Sequence, residues 1–387
     1  MKEVADGLSI AHFAGDDGLS AFLSVGAAGE AALGAYVRAW LAGRSAPAGE
    51  TGAGGDGIGF GCSTLTVRNV AGEVLFGRNL DWARSSALIL TDAPASGDYA
   101  SVSTVNLEVM RYCGIGDLSA LTEEDFLRAA LYFPLDGMNE MGFALSVNMI
   151  KDAGARAQET SPGKTPVNFT AAIRLLLNRA ATVAEAVALL GDYNLCVPGG
   201  GQLFHFAMAD RTGKSVVVEF IDGKTYVTDT PAVTNFYLTP NVVSGTDKYG
   251  IGTDQSVQRY DTLMAKLAAA SAVSDATQAP AAAPHEIGAA PVSASPMATE
   301  NTTATPGAAA LPDDDVIAEA AGSSPCLSAD DVRDALASVA KSNFDVPGAS
   351  TEWSVVFNLS TGDATYYRRE DWSAPIPCRV PGTGQGE

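Results

Sequence analysis

At 387 residues, of which 47% are hydrophobic, the chain is long enough to bury a substantial core in one large domain or two smaller ones. Its 24 lysines and arginines against 45 aspartates and glutamates give a net charge of −21, which argues against nucleic acid and anionic membranes as partners. No apolar run approaches about 18 residues, and the N-terminus lacks the regions of a signal peptide, so the sequence predicts no membrane span and a cytoplasmic location.

The first 61 residues divide into an apolar part and a part rich in small residues. Residues 8–41 carry apolar side chains at helical spacing, among them Leu33 and Trp40. Residues 42–57 are rich in Gly, Ala and Ser, a composition typical of a flexible linker. This leader is therefore predicted to be helical, either as a decoration of a globular domain or as a pro-segment that covers a site until the chain is cut.

The segment after the leader predicts a β-hairpin whose open end carries polar side chains. Residues 62–68 and 73–77 favour strands around a Val-Ala-Gly connection. Because a hairpin brings the start of one strand beside the end of its partner, we expect Cys62 to lie beside Arg78 and Asp81. A thiol next to a guanidinium and a carboxylate is a reactive arrangement, since a nearby positive charge favours the thiolate.

Beyond the hairpin the pattern alternates between strands and helices. Runs of β-formers bounded by turn residues predict strands at 87–91, 101–105, 143–148, 203–209, 215–221, 225–228, 232–235, 353–359 and 364–368. Helical spacing predicts helices at 123–131, 168–191, 260–270 and 330–341, and Thr182 is predicted to cap a second helix within 168–191. The strands from 203 to 235 are predicted to form a meander, and Arg174 and Arg179 to lie on solvated helix faces. Strands flanked by helical blocks fit two stacked antiparallel sheets covered by helices.

A nucleophilic thiol needs a base, and the sequence offers few. Of three histidines, His12 lies in the leader and His285 in a low-complexity stretch, while His205 lies in an alternating run typical of a packed strand residue. A Cys–His pair would depend on His205 alone. The other candidate base is the nucleophile's own α-amine, which titrates near about 7.7–8.0, whereas an amide nitrogen has no usable basicity. That chemistry requires a cut between Gly61 and Cys62.

Five motifs follow one another along the chain. They are Gly-Cys-Ser-Thr with Phe-Gly-Arg-Asn-Leu-Asp at 61–81, Asp-Gly-Met-Asn-Glu-Met-Gly at 136–142 leading to Asn148, 210–219, Val-Thr-Asn at 233–235, and Ser-Val-Gln-Arg-Tyr at 256–260. Together they resemble the choloylglycine hydrolase family of N-terminal-nucleophile amidases, which includes bile salt hydrolases and penicillin V acylases and has acid-ceramidase-like relatives. The resemblance covers roughly 61–267 and resumes around 352–367. It implies an αββα sandwich, in which two antiparallel sheets are flanked by helices.

The resemblance also implies six site residues. They are Cys62, Arg78, Asp81, Asn148, Asn235 and Arg259. Cys62 is the nucleophile that this match implies, Arg78 favours its thiolate and holds the substrate carbonyl or carboxylate, and Asp81 accepts a hydrogen bond from the Cys62 ammonium. The remaining four cysteines (Cys113, Cys196, Cys326 and Cys378) form no Cys-x-x-Cys pair, so they predict neither zinc site nor disulfide framework and are expected to be inert.

Three of these assignments have an ordinary structural alternative. Asn148 and Asn235 match the oxyanion hole, where one preorganised donor contributes about 3–4 kcal/mol, but asparagines at strand ends also make turns. The match at Asn148 requires a one-residue shift within 143–149. Arg259 matches the last position of the family, and otherwise it is a helix cation.

The implied function is a cysteine amidohydrolase that is self-cleaved at Gly61–Cys62 and hydrolyses a linear N-acyl amide, such as a conjugated bile salt or penicillin V, through a thioester. No metal or organic cofactor is required, and the partner is a small-molecule substrate; a homo-oligomer is possible. An acyltransferase using the same thioester is one alternative. A non-catalytic relative that binds acyl ligands and keeps its leader is another.

The domain prediction follows from the motifs. Residues 1–61 are a helical pro-segment with a flexible linker, and residues 62–380 are one amidase domain. Residues 271–325 are rich in Ala, Pro, Ser and Thr and have almost no aromatic residues, so they cannot bury enough surface to offset the chain entropy. We predict a disordered insertion there, because family-like sequence resumes after it.

Overall fold

The computed structural model describes residues 1–43, 61–151, 161–196, 202–221, 223–239, 254–278, 326–342 and 350–383. The predicted linker at 42–57, apart from its first two residues, lies outside the described residues, as does the predicted insertion from 279 to 325.

Two large β-sheets are stacked in the described part of the chain. In chain order the strands are β1 (Lys2–Ala5), β2 (Leu8–Gly15), β3 (Gly61–Arg68), β4 (Val74–Trp82), β5 (Ala87–Pro94), β6 (Ser101–Asn106), β7 (Pro134–Asn139), β8 (Ala144–Lys151), β9 (Pro166–Asn168), β10 (Asn194–Cys196), β11 (Gln202–Ala209), β12 (Ser215–Ile221), β13 (Lys224–Asp229), β14 (Ala232–Val233), β15 (Ser350–Asn358), β16 (Asp363–Arg368) and β17 (Ile376–Arg379). One sheet has the order β1-β2-β5-β6-β7-β8-β11-β12-β13, and the other has the order β14-β3-β4-β15-β16-β17. Strands β9 and β10 form a small parallel pair of their own.

Helices cover the outer faces of both sheets. They are α1 (Leu19–Val25), α2 (Glu30–Leu41), α3 (Leu107–Tyr112), α4 (Glu123–Ala130), α5 (Phe169–Arg179), α6 (Val183–Leu190), α7 (Asp254–Gln278) and α8 (Ala329–Ala337). Helix α5 packs on β7 and β8, whereas α7 and α8 pack on the other sheet around β3 and β4. The predicted αββα sandwich is therefore confirmed.

Side-chain caps explain where several helices begin. The side chains of Asn168 and Thr182 accept backbone N–H groups at the starts of α5 and α6, and Ser328 forms a capping box with Asp331 at the start of α8. The restart at Thr182 is as predicted.

A separate apolar cluster packs α7 and α8 against the second sheet, with Leu263, Leu336 and Val356 among its buried members.

The leader is only partly helical. The prediction of a helix is confirmed for the region of α2, but it is wrong for Leu8–Gly15, which forms β2. Strand β2 pairs in parallel with β5, and its Leu8 and Phe13 are buried. Pairing with a distant strand overrides the weak local helical pattern here, because the apolar spacing of a short segment fits either structure. It also inserts one parallel pair into a sheet that is otherwise antiparallel.

Four further predictions need correction. Helix α7 begins at Asp254 rather than 260 and continues to Gln278, so the first eight residues assigned to the insertion are helical. Strand β14 does not continue the meander, because it crosses to the second sheet and pairs with β3. Asn148 lies inside β8 rather than where that strand ends. Arg174 is 3% exposed rather than solvated, because it faces two buried carboxylates.

Candidate active site

The hairpin of β3 and β4 decides which groups can meet at Cys62. Its register pairs Gly61 with Asp81, Cys62 with Leu80 and Thr64 with Arg78. Since neighbouring residues of a strand point to opposite faces, the side chains of Cys62 and Arg78 share the face turned to the other sheet. Asp81 lies on the opposite face, turned to α7 and α8. The three residues predicted to lie together are therefore on two faces of the hairpin. The Arg78 guanidinium is on the same face as the Cys62 thiol, and the Asp81 carboxylate is on the other face, beside Gly61.

Arg78 is completely buried and its three nitrogens are all engaged. Nε donates to Asp136 Oδ2 at 2.8 Å, Nη1 to Asn148 Oδ1 at 2.7 Å, and Nη2 to the Val147 carbonyl at 2.9 Å. The Cys62 sulfur lies 3.8 Å from the same Val147 carbonyl. Burial alone would lower the pKa of Arg78, but the charges of Cys62 and Asp136 outweigh it and raise that pKa above its usual value. A permanent cation therefore lies beside the thiol.

Asn235 holds the backbone of Cys62. Its Oδ1 accepts the Cys62 N–H at 2.7 Å, and its Nδ2 donates to the Met149 carbonyl at 2.7 Å. Asn148, on the neighbouring strand β8, directs its Nδ2 at the Val233 and Thr234 carbonyls, 3.5 and 3.4 Å away. The two amides thus lie on either side of Cys62, between β8 and the segment that follows β14.

Arg259 reaches the same backbone from α7. Its Nη1 donates to the Cys62 carbonyl and to Ser63 Oγ, the latter at 2.7 Å, and its Nη2 donates to Asn235 Oδ1 at 2.7 Å. Burial lowers the pKa of Arg259, against the opposing effects of Asp81 and Cys62. Arg259 is thus a buried cation that fixes the main chain of Cys62 together with Asn235, and it is more than an ordinary helix cation.

Asp81 lies beside the residue that precedes Cys62. Its Oδ1 accepts a hydrogen bond from Thr351 Oγ1 at 2.7 Å. A Cβ added at Gly61 would collide with Asp81 Oδ2 and come within 2.5 Å of Lys341 Nζ. Gly61 lies in a strand and not in the left-handed region, so no unusual backbone conformation requires glycine at this position. Glycine is needed here for space.

His205 is satisfied by other partners. Nδ1 lies 3.0 Å from Glu219 Oε1, and Nε2 lies 2.8 Å from the Thr234 carbonyl. Glu219 also accepts the backbone N–H groups of Leu238 and Thr239, both at 2.8 Å. With both ring nitrogens engaged, the imidazole has none left for the Cys62 thiol. Instead, the pair holds the segment that carries Asn235.

The other cysteines differ from Cys62 in their surroundings. Burial raises the pKa of the Cys113 and Cys196 thiols, and it raises that of Cys378 to about 11. These thiols are therefore poor sources of thiolate near neutral pH. All five cysteines are free thiols.

Several residues of the site escaped the sequence reasoning. Asp136 stands in a motif that was recognised, but nothing in the motif says that its carboxylate binds Arg78 and accepts the indole N–H of Trp353 at 3.0 Å. Lys341 and Thr351 come from the C-terminal part of the chain, where no motif pointed to the site.

Among the described residues, no group of His, Cys, Asp or Glu is arranged to hold a metal ion, and no helix is long and apolar enough to cross a bilayer.

The chain is similar to several known proteins. Residues 62–237 match the model of a family described as linear amide C-N hydrolases, choloylglycine hydrolase family. Two variant structures of the conjugated bile acid hydrolase from Clostridium perfringens match at 16% identity over 82% of this chain and 92% of that chain, with TM-scores of 0.51 and 0.50. At this identity they support the fold alone. The penicillin V acylase from Agrobacterium tumefaciens matches at 15% identity over 79% of this chain and 83% of that chain, with a TM-score of 0.39, on which we base no argument.

The family match begins at the cysteine around which the site is built. It ends two residues after Asn235, so it spans β3 to the segment after β14 and includes four of the buried polar residues described above (Arg78, Asp81, Asn148 and Asn235). Four of the five sequence motifs fall within this match, Gly61 apart, and the resemblance that they indicated is confirmed. Over residues 62–237, which are less than half of its length, the chain matches the family of linear amide C-N hydrolases, choloylglycine hydrolase family, and this match supports a hydrolase of linear amide C–N bonds.

Proposed function

We propose that this enzyme is a cysteine N-terminal-nucleophile amidohydrolase, which cuts its own Gly61–Cys62 bond and then hydrolyses a linear N-acyl amide. The observation that carries the proposal is the division of groups around Cys62. The sulfur faces a buried cation, Arg78, while the main-chain nitrogen is bonded to Asn235 and lies one residue from the Asp81 carboxylate. The sulfur of Cys62 thus has a cation beside it, and its main-chain nitrogen has a hydrogen-bond acceptor and a nearby carboxylate. An enzyme whose base is its own α-amine needs partners for both groups.

The first reaction is self-cleavage. The Cys62 sulfur attacks the carbonyl carbon of Gly61, the C–N bond breaks, and the departing nitrogen takes a proton to become the α-amine of Cys62. Water then hydrolyses the Gly61 thioester, which leaves a carboxylate on Gly61 and a free thiol on Cys62. The products are a leader, residues 1–61, and an amidase domain that begins at Cys62.

The second reaction is substrate turnover. The free α-amine takes the thiol proton, and the thiolate attacks the amide carbonyl of the substrate. In this proposal the amide donors of Asn235 and Asn148 hold the tetrahedral oxyanion once substrate displaces their present carbonyl partners. The amine product leaves with a proton, the acyl group remains on sulfur, and water releases it as the acid.

The proposed substrate is an apolar acyl group joined to a small amine. Conjugated bile salts are the first compounds to assay, since a protein named for them has a similar fold, and penicillin V follows from the resemblance of the sequence motifs. An amine that displaces the thioester in place of water would make the enzyme an acyltransferase. Measuring free acid against acylated amine, with an added amine acceptor, separates these two outcomes.

Intact mass of the purified protein tests the proposal. We expect wild type to appear as two fragments divided at Gly61–Cys62, and Cys62→Ala to remain whole and to lack amidase activity. The matched control is Cys326→Ala, a free cysteine outside the site, which should be cut and active. A stable uncut wild type with amidase activity would contradict the proposed mechanism.

A further inference from the structure

The Asp81 carboxylate has one satisfied oxygen and one that accepts no hydrogen bond. The residue is completely buried, and among the described residues only Oδ1 has a hydrogen-bond donor, Thr351. A buried carboxylate without a positive partner is costly, because water cannot solvate it. The nearest described cation to Oδ2 is Lys341, whose Nζ lies 3.7 Å away.

Thr351 fixes the position of Lys341 relative to this carboxylate. Its hydroxyl accepts the Lys341 backbone N–H at 2.8 Å while donating to Asp81 Oδ1 at 2.7 Å. Its own backbone N–H donates to the Lys341 carbonyl at 2.9 Å. One side chain thus ties the lysine backbone and the carboxylate together. The ammonium group reaches into the space beside Gly61, where a Cβ would come within 2.5 Å of Nζ.

While the chain is intact, the nitrogen of Cys62 is a neutral amide that donates to Asn235. Cleavage converts this nitrogen into an ammonium, which needs a carboxylate at the position of Asp81. Before cleavage another cation must take that place. Arg259 acts on Asp81 through its charge, but its Nη1 and Nη2 donate to the Cys62 carbonyl and to the side chains of Ser63 and Asn235, whereas the Lys341 ammonium lies next to the carboxylate.

We infer that Lys341 is a positioning residue for self-cleavage, whose ammonium neutralises Asp81 in the precursor and gives up that carboxylate to the new α-ammonium of Cys62. This inference rests on the proposed cut at Gly61–Cys62. It assigns Lys341 to the precursor, not to the binding of substrate.

The charges around Lys341 give this exchange a direction. The groups that face it are Asp81 on β4, Cys62 on β3 and Arg259 on α7. Burial lowers the pKa of Lys341, and Arg259 adds to this effect, while Asp81 and Cys62 oppose it. A second ammonium on Cys62 would favour loss of the lysine proton further, since like charges repel. Formation of the α-ammonium therefore favours displacement or deprotonation of the lysine.

The test follows cleavage of the full-length chain made by cell-free translation, with samples taken over time for intact mass from about pH 6 to about pH 10. If protonated Lys341 is required, the wild-type rate falls as pH rises through the lowered lysine pKa. Lys341→Met should be cut about tenfold more slowly at neutral pH, equivalent to about 1.4 kcal/mol on the barrier. Lys341→Arg should restore cleavage and shift the alkaline fall to higher pH, because arginine stays charged.

Lys214→Met is the matched control, since it removes an exposed lysine whose ion-pair partner is Asp229 and not Asp81. It should be cut like wild type. Normal cleavage of Lys341→Met, or failure of Lys341→Arg to restore cleavage, would overturn the inference. In the Lys341→Met variant, the rate of cleavage should also fall more than the turnover of the cut fraction; an equal fall in both would indicate a general structural role and overturn it too. An uncut wild type would instead refute the proposed function.

Discussion

Two buried arginines, Arg78 and Arg174, look alike by charge and burial but differ in what surrounds them. Arg78 meets one carboxylate, Asp136, and its other nitrogens bond to Asn148 and the Val147 carbonyl beside the Cys62 sulfur. Arg174 meets two carboxylates, and the ring of Tyr132 lies 5.7 Å from its guanidinium carbon. A buried ion pair is therefore not by itself a sign of a catalytic site. What distinguishes the Arg78 ion pair is the Cys62 sulfur beside it.

The Arg174 cluster has a different consequence. Arg174 Nη2 lies 2.6 Å from Asp17 Oδ2 and 3.3 Å from Asp92 Oδ2. Asp17 belongs to the leader, whereas Asp92 is on β5 of the amidase domain. Burial raises the pKa of Asp92, and neighbouring Asp17 adds to this, while Arg174 opposes it. Arg174 thus joins the leader to β5, whereas Arg78 lies beside the Cys62 sulfur.

The largest effect should come from removing the joining arginine. Arg174→Met leaves Asp17 and Asp92 buried without a cation, so the free energy of unfolding should fall by about 3–5 kcal/mol. Urea denaturation measures this, and turnover at a temperature where the variant is folded should stay within about twofold of wild type. A variant of normal stability with lost turnover would show that Arg174 belongs to the active site after all.

The matched change on the other side is Arg78→Lys. A lysine keeps the charge but cannot make three directed hydrogen bonds to Asp136, Asn148 and Val147. We expect kcat/KM for amide hydrolysis to fall by about 10²–10³-fold, the range found when a preorganised group at a reaction centre is lost. Arg174→Lys serves as the control and should retain activity. Equal activity of the two lysine variants would erase the distinction between the two arginines.

The ion pairs of Arg174 with Asp17 and Asp92 also predict that the leader stays bound after cleavage. Strand β2 lies within the nine-stranded sheet, and α1 and α2 bury Phe22, Leu33 and Val37 in the main core. After the proposed cut, residues 1–61 should therefore co-elute with the amidase domain in size-exclusion chromatography. Asp17→Asn should lower the free energy of leader release by about 1.5–3 kcal/mol, the contribution of a hydrogen bond to a charged group.

The control for this experiment is Asp6→Asn, an exposed leader carboxylate that pairs with Arg84 at the surface. It should change leader release little, because exposed ion pairs contribute little. Spontaneous loss of the leader from wild type without denaturant would contradict the view that Arg174 joins two parts of one core.

The smallest effect on stability should come from removing the buried charge of Glu219. Burial alone would raise its pKa, but His205, Thr239 and the backbone N–H of Leu238 outweigh it and lower that pKa. The resulting stability is present above the ordinary glutamate pKa and is lost as pH falls through the lower pKa of the folded state. Glu219→Gln should cost about 1 kcal/mol at neutral pH and flatten the acid side of a plot of unfolding free energy against pH. An unchanged acid side would show that this charge does not stabilise the Asn235 segment.

Much of the fold could be predicted from the sequence because its signals are local. The β3–β4 hairpin and the helix restart at Thr182 depend on a short turn and on a side-chain cap, and both lie where the sequence indicated. The leader strand β2 could not be predicted, because its partner β5 begins more than 70 residues later in the chain. The same holds for β14, whose partner in the other sheet is β3.

The candidate site also has contacts set by local sequence and contacts set by distant parts of the chain. The sequence by itself determined that Cys62 lies on a strand facing Arg78, because one hairpin turn sets that register. The same register and the alternation of side chains along a strand put Asp81 on the face of Gly61 rather than on that of the thiol, but only the tertiary structure decided that Lys341 and Thr351 reach Asp81 from the C-terminal part of the chain. Local propensities and turn lengths set contacts between neighbours in sequence. Contacts across stacked sheets and helix layers depend on how the whole chain buries its apolar surface, and no short segment carries that information.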